Sequence, residues 1–236
     1  MTAEHEQVEG GMPDVRVFFV RVADVRALYR ALVVILSPAE QARAELYVRE
    51  ETREEFVVGR ACLRLLLAER LGVAARDVPL QIGEFGKPFV PADEHFNVSH
   101  SEGVIAIALG GMCVGIDLEF MRPTDDCLEV GRSVFSPQDM SELEGVEAEL
   151  RTTLFYRMWT RYESAAKCVG SGLSLSFENG AEALTLQEVN CLPGFACCVA
   201  TERKAQLERG LCLRLHDLQG LMTSGRRGPV AVKEHA

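Results

Sequence analysis

Apolar residues along this chain follow two rhythms, one alternating and one in steps of three and four. Val15 to Val22, VRVFFVRV, is a β-branched and aromatic run that predicts a strand. A short helix is expected through Leu36. Ser37 and Pro38 then supply a cap and a first-turn proline, the start signal of a helix in AEQARAELYVR. From Thr52 the segment TREEFVVGRACLRLLLAERLG puts Phe56, Leu63, Leu66, Leu67 and Leu71 on one stripe and stops at Gly72, which predicts a long core helix. VPLQIGEFGKPFVP reads as two short extended pieces about a turn at Gly86. FNVSHS leads into VIAIALGGMCVGIDLEF, residues 104–120, where Gly110 and Gly111 between apolar runs predict a hairpin.

In the second half, PTDDCLEVGRS reads as a connector and SPQDMSELEG as a short helix behind another Ser-Pro start. Arg151 to Gly170 carries Leu154, Phe155, Met158, Trp159, Tyr162, Ala165, Ala166 and Val169 in helical steps, a second long helix. After Gly170-Ser171-Gly172, the segments LSLSFENG, ALTLQEV, FACCVAT and LCLRLHDL are expected as strands of a second small sheet. Long helix, glycine stop and short strands thus occur twice, near 52–109 and near 151–215. That order predicts an α+β molecule of two pseudo-two-fold related α/β units, each a small antiparallel sheet packed on a long helix, with a ligand cleft between them. The halves are placed at 14–121 and 122–221, and disordered tails are expected at 1–13 and 222–236.

With 236 residues, 47% of them hydrophobic, the chain can bury a sizeable core. Its net charge of −10 leaves no basic stripe for a nucleic-acid backbone, so any phosphate site is local. No apolar window is long enough to span a membrane, and the start MTAEHEQVEGG lacks the basic and apolar regions of a signal peptide. A cytoplasmic protein is therefore expected. The eight cysteines form no CxxC pair and lie mostly in apolar runs, as reduced core thiols do. The five histidines are scattered, which argues against a histidine-rich metal cluster.

In GIDLEF the period of two puts Ile116, Leu118 and Phe120 on one face and the carboxylates of Asp117 and Glu119 on the other. Two acids about 7 Å apart on a strand either form the solvated face of an edge strand or share a cation. A hard ion such as Mg²⁺ takes one or two carboxylates and completes its shell with water and substrate phosphates. Ser99 and His100 are neighbours on a strand and point to opposite faces, so they do not suit a catalytic dyad. Turn bonding to their own backbone and contact with a phosphate both fit them. Glu163 and Lys167 are one turn apart on a helix, the spacing of a surface ion pair.

Taken together, FNVSHS, GIDLE and WTRYESAAK resemble, in order, the signature blocks of the Sfp-type 4′-phosphopantetheinyl transferases, supported by TREEFVVGRACLR and EFGKP. The likeness runs from residue 37 to about residue 175. It implies two fused α/β units, the phosphopantetheinyl transferase fold, with coenzyme A and Mg²⁺ held at their junction. It implies transfer of the phosphopantetheine arm of coenzyme A to a serine of an acyl or peptidyl carrier protein of a polyketide, peptide or fatty-acid synthase, with release of 3′,5′-ADP. By the same resemblance Asp117, Glu119 and Glu163 are the metal ligands, Glu163 is also the base toward the serine, and Lys167 neutralises charge on the diphosphate. Ser99, His100, Lys87, Arg53 and Arg43 correspond to contacts with the coenzyme.

Two positions depart from the pattern. Tyr162 stands where the family block carries lysine, and the acidic run Glu50, Glu51, Glu54 and Glu55 flanks Arg53. A metal-dependent phosphodiester hydrolase would use the same acids, and an inactive carrier-binding module would retain the fold; the presence of all three acids favours an enzyme. Given the acidic chain and acidic carriers, docking is expected on an apolar surface with local arginines near Met121, Arg122 and 127–145. A duplicated chain is expected to act as a monomer.

Overall fold

The first strand, β1 (Asp14–Arg21), buries Val15, Val17, Phe18, Phe19 and Val20, so both its faces lie inside the molecule. The structure is a computed structural model and describes residues 14–83, 86–170, 184–190 and 192–224. A helical stretch follows as α1 (Val22–Val25), a single 3₁₀ turn and α2 (Tyr29–Ile35). α3 (Pro38–Glu45) opens with a complete capping box: the Glu40 N–H donates to Ser37 Oγ, and the Ser37 N–H donates to Glu40 Oε2 at 2.8 Å. α4 (Glu50–Leu71) runs 22 residues and ends on Gly72 at φ 66°, a conformation that glycine adopts without steric cost. Two short pieces, β2 (Gln81–Ile82) and β3 (Pro88–Phe89), pair about the Gly86 turn.

β4 (His95–Ser101) and β5 (Val104–Gly110) form the hairpin of this region, through a two-residue turn in which Glu102 and Gly103 have φ of 48° and 70°. The hairpin expected at Gly110-Gly111 does not form. β5 already pairs with β4 on one side and β1 on the other, leaving no edge for β6 (Val114–Phe120), which pairs with a strand of a second sheet. The connector beyond it contains α5 (Cys127–Val134), then come α6 (Pro137–Gly145) and α7 (Ala148–Val169), the second 22-residue helix, closed by Gly170 at φ 79°. β7 (Thr185–Glu188) and β8 (Phe195–Thr201) complete the second sheet among the described residues. The strand expected in LSLSFENG falls outside the described residues, as do the tails 1–13 and 225–236.

β9 (Gln206–Cys212) returns to the first sheet and lies parallel to β1, rather than joining the second as the sequence suggests. The residues after it turn helical as α8 (Leu215–Ser224), whose start is tied by the Arg214 N–H donating to Asp217 Oδ2 at 2.8 Å; the helix continues past position 222. The strand orders are β4-β5-β1-β9 and β6-β8-β7. Phe18, Val20, Ile105, Ile107 and Leu109 bury one face of the first sheet against α4. Val15, Val17, Phe19, Val104 and Ala106 meet Val114, Ile116, Leu118 and Val199 of the second sheet, whose other side is covered by α7. The molecule is thus an α+β stack of helix, sheet, sheet and helix. Among the described residues no helix is long and apolar enough to cross a membrane.

Candidate active site

Besides packing face to face, the two sheets touch along their edge strands β4 and β6, and there side chains replace backbone pairing. Asn97 Oδ1, Ser99 Oγ and Ser101 Oγ accept the N–H groups of Ile116, Leu118 and Phe120 at 2.9, 3.2 and 3.1 Å. This ladder fixes β6 so that Ile116 and Leu118 enter the core while Asp117 and Glu119 face α7. α7 lies against β6 at Gly115, where a Cβ would overlap the Ser164 carbonyl oxygen and the Cys168 nitrogen. Only a glycine permits that approach, and it sets Lys167 over Asp117.

Asp117 is 2% exposed. Its Oδ1 accepts the Lys167 ammonium at 2.5 Å and the Ser99 hydroxyl at 3.0 Å, whereas its Oδ2 is buried with no hydrogen-bond partner. Lys167 Nζ also donates to Ser99 Oγ at 3.3 Å, so the serine oxygen accepts twice and donates once. Glu119 Oε2 accepts from Ser101 Oγ at 3.3 Å. Burial, then the neighbouring charge of Asp117, holds the Glu119 carboxyl above its ordinary range against the opposing Ser101 bond and Lys167 charge. Glu163 is raised too, first by burial, with Lys167 opposing and Asp117 reinforcing. Three acids and one lysine therefore form one electrostatic unit.

Among the described residues no group of three or more His, Cys, Asp or Glu side chains is gathered closely enough to hold a metal ion as it stands. The donors that are present nevertheless suit Mg²⁺. They are hard carboxylate oxygens, they repel one another, and one of them is a buried oxygen lacking any donor, which a cation would satisfy.

The remaining candidates lie around this unit. Lys87 Nζ donates to the Lys167 carbonyl at 2.6 Å, placing a positive charge at the C-terminal end of α7. His100 points away from Ser99, as strand alternation requires, with Nδ1 3.3 Å from Glu55 Oε2. It lines a cleft of about 540 Å³ with Ser101, the arginines 21, 26 and 49 and the glutamates 51, 54, 55 and 102, two of which pair with Arg26 and Arg49. Ser101 is the shared wall between this cleft and Glu119. Arg53 lines a neighbouring 330 Å³ cavity beside Tyr29 and Arg30, where its Nη2 donates to the Tyr47 carbonyl at 3.0 Å. Arg43 lies over the Phe56 ring, 5.4 Å from its centroid, and is not among the residues lining either cavity.

The acidic run beside Arg53 has local partners. Glu54 takes Arg26 at 2.7 Å, and Glu55 takes His100 and the Gly103 N–H at 2.7 Å. Tyr162 has become an anchor: its hydroxyl accepts the Ser136 N–H at 2.8 Å and donates to Asp139 at 2.5 Å, tying the start of α6 to α7. Sequence reasoning missed Asn97, Ser101, Gly115 and the cleft arginines 21, 26 and 49. The polar alternation at 97, 99 and 101 was the available signal for the ladder.

Known proteins align with both halves of this arrangement. Residues 24–110 match a model described as 4′-phosphopantetheinyl transferase, N-terminal, and residues 113–206 match one described as the 4′-phosphopantetheinyl transferase superfamily. A Synechocystis protein is 36% identical over 155 residues, 63% of each chain. The 4′-phosphopantetheinyl transferase HetI of Nostoc is 34% identical over 149 residues, covering 61% of this chain and 63% of HetI. The transferase Sfp of Bacillus subtilis is 29% identical over 146 residues, 61% of this chain and 64% of Sfp. The matched stretch spans a little under two thirds of the length of these relatives.

Proposed function

This chain belongs to the 4′-phosphopantetheinyl transferase superfamily, and on that premise we propose that it moves the phosphopantetheine arm of coenzyme A onto a serine of an acyl or peptidyl carrier protein. The observation that carries the proposal is Asp117, one oxygen held by Lys167 and Ser99 and the other buried without a donor, beside two further acids on α7 and β6.

In this reading Asp117, Glu119 and Glu163 hold Mg²⁺, which when bound neutralises charge on the diphosphate oxygens. The serine oxygen bonds to the β-phosphorus as the bond to the bridging oxygen breaks, and 3′,5′-ADP departs. Glu163, a carboxyl that burial has made more basic, accepts the serine proton; a placed base contributes about 10²–10⁴-fold. Lys167 lies next to the acids and supplies positive charge to the departing phosphate. His100 and the arginines of the 540 Å³ cleft, with Arg53 in the adjoining cavity and Lys87 at the end of α7, are assigned to the nucleotide end. Ser99 acts through Asp117. Near the expected docking surface, Arg122 pairs with Glu102 of the β4–β5 turn and Arg132 with Glu144.

Incubation with coenzyme A, Mg²⁺ and a panel of unmodified carrier proteins tests the reading by intact-mass spectrometry. A carrier heavier by one phosphopantetheine supports transfer, and coenzyme A consumed without that gain points to hydrolysis.

A further inference from the structure

We infer that Ser101 is a positioning residue that holds Glu119 ready for a divalent cation, an inference that rests on the transferase reading above. Its hydroxyl oxygen is fixed by the Phe120 N–H at 3.1 Å, so the O–H is free to point elsewhere and finds Glu119 Oε2 at 3.3 Å. Glu119 needs such a partner. It is partly buried, and the charges of Asp117 and Glu163 repel it. A neutral hydroxyl fixes the side chain and leaves its charge intact. Ser101 also lines the 540 Å³ cleft beside His100, Arg26 and Arg49, so a ligand there abuts the group that orients Glu119.

The ladder contains its own control. Asn97 makes the same kind of rung, accepting the Ile116 N–H at 2.9 Å, whereas Ser101 both accepts the Phe120 N–H and donates to Glu119. Loss of Asn97 removes structure alone; loss of Ser101 removes structure and the hold on Glu119. Partners that orient metal ligands typically change affinity by about 10–100-fold when removed.

The test compares wild type, S101A, S101T and N97A as full chains. Mg²⁺ binding is measured by titration calorimetry without coenzyme A, alongside melting temperature and the Mg²⁺ dependence of transfer. S101A is expected to bind Mg²⁺ about 10-fold more weakly, and S101T to restore affinity. N97A should melt lower yet bind Mg²⁺ as wild type does. If S101A fails to fold, S101C takes its place. Unchanged Mg²⁺ affinity in S101A, or in S101C where it takes that place, or an equal loss in N97A, overturns the inference. A wild-type protein that binds Mg²⁺ but loads no carrier refutes the transferase reading instead, while the calorimetric comparison still decides the role of Ser101.

Discussion

Replacing Lys167 by methionine keeps the aliphatic stem and removes the ammonium that bonds Asp117 Oδ1 at 2.5 Å. Breaking a fully buried pair costs about 3–5 kcal/mol, and an exposed pair contributes about 0.2–1 kcal/mol. The Asp117 side chain is 3% exposed and that of Lys167 30%, so water reaches only one partner and the expected cost is about 2–3 kcal/mol. For a chain of this size that lowers Tm by about 5–10 °C. The cost arises from a buried carboxylate left with the Ser99 hydroxyl alone, so K167M with D117N should recover much of it, a coupling that a double-mutant cycle reads directly. Mg²⁺ should also stabilise K167M, by about 2.7 kcal/mol at 100 times its Kd. Thermal melts of wild type, both single variants and the double variant, with and without Mg²⁺, provide the assay. Strictly additive single-variant losses, or a K167M protein that melts with wild type, would refute the reasoning.

Three further outcomes follow from the same structure. Glu40 closes the α3 capping box and accepts Arg64 Nε at 2.7 Å; burial alone would raise its carboxyl, but the Arg64 and Ser37 bonds and nearby arginine charges outweigh it and the net shift is downward. A lowered folded value means stability present above the unfolded value, about 4.3, and lost as pH falls through the folded one, so wild type should exceed E40Q in denaturant melts at pH 7 and the gap should close in acid. Gly115→Ala would force α7 off β6 and should cost about 3 kcal/mol or more along with carrier loading, read by melting and intact mass. Because Glu119 and Glu163 retain protons to higher pH than ordinary carboxylates, Mg²⁺ binding at pH 5.5 should release protons, seen as a calorimetric heat that depends on the buffer and fades toward pH 7.5.

Local chemistry in the sequence carried much of this fold. Ser37-Pro38 marked α3, the glycine stops at 72 and 170 both adopt positive φ, and the alternation in GIDLEF correctly set Ile116 and Leu118 against Asp117. Sheet membership was less legible. VIAIALG is buried at every position of β5, so it has no alternation to reveal that both its edges are taken, and Gly110-Gly111 at its end look like a hairpin turn when they carry the chain to another sheet. β9 likewise crosses back to lie parallel to β1, a long-range choice that no local pattern encodes. The acids and Lys167 were visible as residue types, but the Ser99 and Ser101 hydroxyls that orient Asp117 and Glu119 do so only because two edge strands meet in space. Tyr162 fell on an apolar stripe, and its ring does pack at 5.1 Å on Phe135, while its hydroxyl found Ser136 and Asp139.

The central claim is that three acids and Lys167 act together to move a phosphopantetheine arm. Its most direct test is the intact mass of a carrier protein after incubation with coenzyme A, Mg²⁺ and either wild type or E163Q. The prediction is a gain of one phosphopantetheine with wild type and none with a folded E163Q. Loading by E163Q at the wild-type rate, or no loading of any carrier by wild type, would contradict it.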